Sequence, residues 1–199
     1  PPMVALSAAP DFEGPNVRAD EHRAGYLLTR HLLELGHQRI TFIGPPPATG
    51  SGTRQAGYVQ AMQEAGLEPS LVETYPAPAP ARQAAADLLS QPDRSTALIA
   101  FNDYMALGVL RAAAEANLKV PADVSVAGFD NLISSAFYCP PLTTVDLETE
   151  EIAVRAVEIL LRSLQSGGGE AEDVGDKAQV VTLAPTLVVR ESTGKALSQ

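Results

Sequence analysis

At 199 residues the chain can bury one sizeable core or two small lobes, and 45% hydrophobic against 19% charged residues is an ordinary globular profile with mean hydropathy +0.02. A formal net charge of −10 repels phosphate backbones, and no Lys/Arg run breaks that pattern, so the chain by itself is a poor grip for nucleic acid. A single cysteine, Cys139, excludes an intrachain disulfide or a cysteine-based metal site, and no apolar run is long enough to span a bilayer.

The opening Pro1-Pro2-Met3-Val4-Ala5-Leu6-Ser7 has no basic leader and no secretory apolar core, and reads as a short strand (4–6) cut from a longer chain. Residues 8–19, rich in Pro, Asp, Glu and Gly, read as a loop. Residues 20–35 take a helical period with Ala24, Leu28, Leu32 and Leu35 on one face, Asp20 as N-cap and Gly36 just past the end. Residues 39–44 form a buried strand. A helix follows over 53–65, with Tyr58, Ala61, Met62 and Ala65 inward and a stop at Gly66. Then come a weak strand (71–75), an Ala-rich helix (80–90), a strand (96–101), a helix (103–116) closed by Asn117, and strands at 124–129 and 142–145. Residues 149–164 form an amphipathic helix with Ile152, Ala156, Ile159 and Leu160 inward and Thr149 as its cap. The Gly- and acid-rich run 166–176 is expected to be a flexible loop, followed by strands 180–183 and 186–190 split by Pro185. Repeated β/α alternation implies an α/β fold, a parallel sheet with helices on both faces. Ligands in such sheets sit at the strands' carboxyl ends, so chemistry is sought at the strand-to-helix turns.

The loop 44–54 ahead of the second helix is glycine-rich but has no Lys after the glycines, so it is not a Walker A loop. Arg54 lies in that helix's first turn, where a cation opposes the dipole, and otherwise reads as a solvated surface arginine. One of Asn102 and Asp103 caps the next helix, and Asn102 also carries a donor and an acceptor suited to a hydroxylated ligand. Asp130, after strand 124–129, is a turn residue by position and a carboxylate able to accept two hydroxyl bonds by chemistry. His22, His31 and His37 show no zinc spacing; His37, directly after the helix-ending Gly36, stands where a donor assists the last carbonyls. No nucleophile elbow and no dinucleotide fingerprint occur, so no catalytic residue, metal or cofactor is assigned.

Five segments, taken together, resemble the LacI/GalR family of bacterial regulators: HLLELGHQRITFIGPP (31–46), TRQAGYVQAMQEAGL (53–67), ALIAFNDYMALGVLRAAAEANLKVPADVSVAGFDN (97–131), PPLTTVDLETEEIAVRAVEILL (140–161) and LVVRES (187–192). They stand in the family's order and cover nearly the whole chain. The resemblance implies a type I periplasmic-binding-protein-like fold, two lobes with a ligand cleft between them. It assigns 1–19 and 146–170 to a remnant of the N-terminal lobe and 20–145 with 176–199 to a nearly complete C-terminal lobe. The family's DNA-binding headpiece is absent from this chain. Arg54, Asn102 and Asp130 match the family's ligand-binding arginine, asparagine and aspartate. Ser7 stands where several sugar-responsive members have Asp, and Thr149 where some place an aromatic or Gln; both are carried as ligand contacts. Tyr75, Phe129 and Tyr138 are candidates for an apolar ligand face, with Phe129 better suited to the core.

The expectation is therefore the effector-binding domain of a cytoplasmic, homodimeric transcriptional regulator, a repressor and not an enzyme. Its effector is a sugar or related polyol, or a purine, and operator DNA is read only through the headpiece. No membrane partner is expected. A periplasmic sugar-binding protein of a transport system is the alternative with the same fold.

Overall fold

Strand and helix alternate along almost the whole chain. The computed structural model describes residues 2–7, 12, 14–46, 52–165 and 180–197. The elements run β1 (Ala5–Leu6), β2 (Asn16–Ala19), α1 (Glu21–Glu34), β3 (Ile40–Gly44), α2 (Gly52–Glu64), β4 (Ser70–Glu73), α3 (Pro78–Leu89), β5 (Ala97–Ala100) and α4 (Asp103–Glu115). They continue with β6 (Ser125–Phe129), a 3-10 turn (Ile133–Phe137), β7 (Thr143–Asp146), α5 (Thr149–Gln165), β8 (Val180–Leu183) and β9 (Thr186–Val188). The acidic run 166–176 and most of the glycine-rich loop, 47–51, lie outside the described residues.

The chain divides into two compact units: Pro1–Asp20 with Leu147–Pro185, and Glu21–Asp146 with Thr186–Gln199. The smaller unit is a three-stranded parallel sheet, β1-β2-β8, on which α5 packs. Helix α5 buries Ile152, Ala156 and Ile159, one helical face at spacings of four and three. The sequence pattern assigns 8–19 to a loop, yet Asn16–Ala19 is the central strand here, with Val17 fully buried. Only one β-branched residue marks it, and its order comes from partners on both sides, a non-local source that local pattern does not report. The tail also divides differently from expectation. Strand β8 pairs with β2, and only from Thr186 does the chain return to the larger unit. Thr149 is not the cap of α5 but its first helical residue; the Ile152 N–H bonds to the Glu148 carbonyl, and Glu148 has φ +56°.

The larger unit holds a six-stranded sheet in the order β4-β3-β5-β6-β7-β9, parallel except for β9. From β3 the chain passes outward to β4 and then back across to β5, so the connections reverse direction between β3 and β5. Right-handed crossovers then place α2 on one face and α3 on the other. Helix α1 packs on α2, and α3 on α4. Successive residues of β3 serve opposite faces. Phe42 meets Tyr58 and Phe129 at ring-centroid distances of 5.7 and 6.3 Å, while Ile43 joins the core made with Ala85, Met105 and Val109. Each such large apolar side chain, once buried, contributes about 1.5–3 kcal/mol. The Tyr58 hydroxyl lies 2.7 Å from the Ile40 carbonyl and 3.0 Å from that of Ser70, and accepts the Ser70 N–H at 2.8 Å, pinning β4 to β3. Burial pushes this phenol up to about 12.

Three helix ends stop where the sequence places them. Gly36, Gly66 and Asn117 all take positive φ (+89°, +71° and +57°), and the residue after each returns its N–H to a carbonyl one turn back. Helix α3 starts at Pro78, two residues before the pattern suggests, because prolines in a first turn forfeit only N–H groups that lack a helical acceptor. His37 does not serve the end of α1 with its ring. The ring is buried, 2.9 Å from the Thr96 hydroxyl and 3.0 Å from the Gly194 carbonyl, joining β5's entry to the C-terminal tail. The carbonyl can only accept, so Nε2 carries the proton.

Helices α1 and α2 touch through two glycines. A methyl group at Gly25 would lie 2.0 Å from the Arg54 carbonyl oxygen, and one at Gly57 would lie 1.9 Å from that of His22. Gly25→Ala is therefore expected to push the pair apart and lower the free energy of unfolding by about 1–3 kcal/mol in urea titration. A change within experimental error would show that the close approach is not required.

Candidate functional site

In the larger unit the carboxyl ends of β3, β5 and β6 share one edge of the sheet, beside the point where the connections reverse. This is where open α/β sheets bind ligands. Three expected residues sit on that edge. Asn102 follows β5 and caps α4, its Oδ1 accepting the Met105 N–H at 2.8 Å. Asp130 follows β6 with φ +96°, and Asn131 after it has φ +46°. Arg54, in the first turn of α2, reaches across both.

Arg54 is not a solvated surface residue: only 8% of it is exposed. Its Nη1 donates to the Phe101 carbonyl at 2.7 Å and stands 3.2 Å from Asp130 Oδ1. Its Nε and Nη2 both donate to the carboxylate of Glu21, a fork-to-fork pair. The guanidinium carbon lies 4.7 Å from the Phe101 ring centre and 5.2 Å from that of Phe129. Burial alone would make the cation easier to deprotonate, but the bonds to Glu21 and Asp130 outweigh it and raise its pKa above the ordinary value. Burial also raises the pKa of Asp130. Arg54 opposes that shift, and the neighbouring Glu21 charge adds to it.

Behind this trio lies Asp103, fully buried. Its Oδ1 accepts the Thr144 hydroxyl at 2.6 Å and its Oδ2 the Leu132 N–H at 2.9 Å. Gly128 makes room for it, since a methyl group there would lie 2.6 Å from Oδ1. Arg190 anchors the 130–131 turn from the tail. It donates to Asn131 Oδ1 at 2.6 Å, the Leu142 carbonyl at 2.6 Å and the Ser135 hydroxyl at 3.1 Å, while Asn131 Nδ2 donates to Asp146 Oδ2 at 2.8 Å. Among the described residues no cluster of His, Cys, Asp or Glu could hold a metal ion, and no helix is long and apolar enough to cross a membrane.

The Periplasmic binding protein-like domain family matches residues 29–193. A solved LacI transcriptional regulator from a Rhodococcus species superposes with a TM-score of 0.86 at 32% identity, over 98% of this chain and 70% of that one. The chain belongs to the LacI family of transcriptional regulators. A LacI-family regulator from Enterococcus faecium with bound ribose gives a TM-score of 0.86 at 27% identity, over 98% of this chain and 72% of that one. The HTH-type transcriptional repressor PurR of Pasteurella multocida is 33% identical over 201 residues, covering 98% of this chain and 58% of that protein. The chain thus spans little more than half the length of that curated relative.

Of the six residues expected to touch a ligand, the fold places Arg54, Asn102 and Asp130 on one edge of the larger sheet. Tyr75 follows β4, the edge strand beyond β3, and is 74% exposed. Phe129 is fully buried, as its core reading requires, and Tyr138 packs partly buried against the α3/α4 core. Ser7 and Thr149 belong to the smaller unit: Ser7 has φ +50° and gives its N–H to the Val17 carbonyl, and Thr149 opens α5. Sequence reasoning missed Glu21, Asp103 and Arg190. Glu21 looks like any first-turn carboxylate, and Asp103 looks like the second choice of cap. Arg190 lies in the tail segment 187–192, and its partners Asn131, Ser135 and Leu142 are distant in sequence.

Burial raises the Asp103 pKa to about 6, although the Thr144, Leu132 and Ser135 bonds pull it down. Its protonation therefore adds stability that is complete below the ordinary value near 3.8 and is lost as pH rises through about 6. Relative to Asp103→Asn, the wild-type chain is expected to gain unfolding free energy between pH 6 and pH 4. Parallel stability profiles for the two proteins would contradict a raised Asp103.

Proposed function

We propose that this chain is the effector-binding region of a LacI-family transcriptional regulator, a repressor by analogy with its relatives. Its effector is a small hydroxylated molecule, a sugar or polyol, or a purine, bound by Arg54, Asn102 and Asp130. The placement of these three residues on one sheet edge, where crossover direction reverses, with Arg54 paired to Asp130, is the observation that carries the reading. Asn102 and Asp130 supply one donor-acceptor group and one acceptor, a set suited to neighbouring hydroxyls. Ser7 and Thr149, which stand at family ligand positions with residues other than the family's, and Tyr75, a candidate apolar face, complete the proposed effector shell. Effector binding alters operator affinity only through its differential affinity for the regulator's two conformations. Operator DNA is read by a headpiece that the family places ahead of this region, and the setting is the cytoplasm. Similarity to repressors favours this reading over a transporter's solute-binding protein.

Calorimetric titration of the full-length regulator with monosaccharides including ribose, disaccharides and purine bases tests the assignment. One class is expected to bind. Asn102→Ser, which retains a capping oxygen, should weaken that binding at least tenfold, yet shift stability by no more than about 0.5 kcal/mol. Binding by none of the panel, or undiminished binding by Asp130→Ala, would sink the proposal.

We further propose that the regulator is a homodimer and that the second copy covers an apolar patch beside the start of α4. Ile133 and Phe137 of the 3-10 turn are 87% and 82% exposed, and Tyr104 and Leu107 of α4 are 52% and 38% exposed. The Leu132 bond to Asp103 holds the two segments together. Exposed apolar side chains on two segments held together in this way call for a partner. Sedimentation velocity should show a dimer that Ile133→Glu with Phe137→Ser converts to folded monomer; a dimer unaffected by the pair of changes rules this surface out.

A further inference from the structure

Glu21 takes up two of the three nitrogens of the arginine assigned to the effector. Phe101 and Asp130 take the third. Both aromatic rings lie against the guanidinium. Glu21, Arg54 and Asp130 together sum to one negative charge, and Asp103, the next carboxylate inward, is close enough for its titration to feel Asp130. Among the described residues of this edge, an arriving anion would find the Arg54 charge already matched. It would have to displace a carboxylate from a guanidinium already held fork to fork, or add its charge to a net-negative cluster whose guanidinium is buried and whose carboxylate side chains are only 28% and 31% exposed. A neutral hydroxyl or amide meets neither obstacle.

We propose that Glu21 sets the charge selectivity of the effector site, which takes uncharged or cationic ligands and rejects phosphorylated or carboxylate ones. The inference rests on the effector reading for the identity of the site, but not on any particular effector. Glu21 acts by removing the arginine's capacity to pair with an anion. Its position follows from the Gly25 and Gly57 contacts, which set the first turns of α1 and α2 side by side.

Inorganic phosphate is the probe, titrated calorimetrically into the full-length regulator at matched ionic strength. The wild-type protein is expected to show no saturable uptake at millimolar phosphate. Glu21→Gln neutralises the cluster and should bind phosphate at least tenfold more tightly, an effect removed by adding Arg54→Gln. Glu21→Asp keeps the charge and should behave as wild type. Asp130→Asn changes the same cluster by the same charge and serves if Glu21→Gln does not fold. Phosphate uptake by the wild type that depends on Arg54, or by Glu21→Gln no tighter than by the wild type, overturns the inference while leaving the regulator reading intact. A neutral panel that binds nowhere would overturn the regulator reading without touching the phosphate result.

Discussion

A guanidinium taken out of water must find acceptors within the protein, and Arg54 finds two carboxylates, a carbonyl and two ring faces. Everything else at the sheet edge is arranged to permit this. The glycine contacts between α1 and α2 bring Glu21 within reach. The parallel register of β5 and β6 sets Phe101 and Phe129 side by side, so that one cation can rest on both. Remove the close helix approach, and the bidentate pair loses its geometry before any ligand is considered.

The same edge is stiffened from beneath. Asp103 accepts one bond from β7 and one from the turn after β6, and Arg190 holds that turn from the tail. Asn131 is thereby fixed through both ends of its amide, by Arg190 on one side and Asp146 on the other. Asp130 is thus presented by a scaffold whose polar atoms are already satisfied, the arrangement that lets a binding group keep its orientation when the ligand is absent.

Much of this was legible in the amino-acid order, and the parts that were not share a cause. The strands β3, β5 and β6 announce themselves because both faces are buried and the runs are apolar. The stops at Gly36, Gly66 and Asn117 are legible because left-handed backbone is a local demand. Arg54, Asn102 and Asp130 are candidates legible in the sequence because each lies in a segment that follows a strand's carboxyl end, and the family resemblance singles them out. Strand β2 was lost because its order comes from neighbours far away in sequence. The destination of β8 was lost for the same reason. Glu21 and Arg54 are 33 positions apart, and no local rule joins them. His37 was found at the right place but given the wrong duty, because its partners, Thr96 and Gly194, come from distant segments.

The backbone at position 130 narrows how such a protein can change its ligand over time. With φ at +96°, the site favours glycine or asparagine on conformational grounds, and neither supplies a carboxylate. Aspartate is a compromise between chain geometry and chemistry, with few neighbours in mutational space that satisfy both. Positions 21 and 75 carry no such backbone demand. New specificities in descendants of this sequence should accordingly arise there first, with residue 130 the last to move.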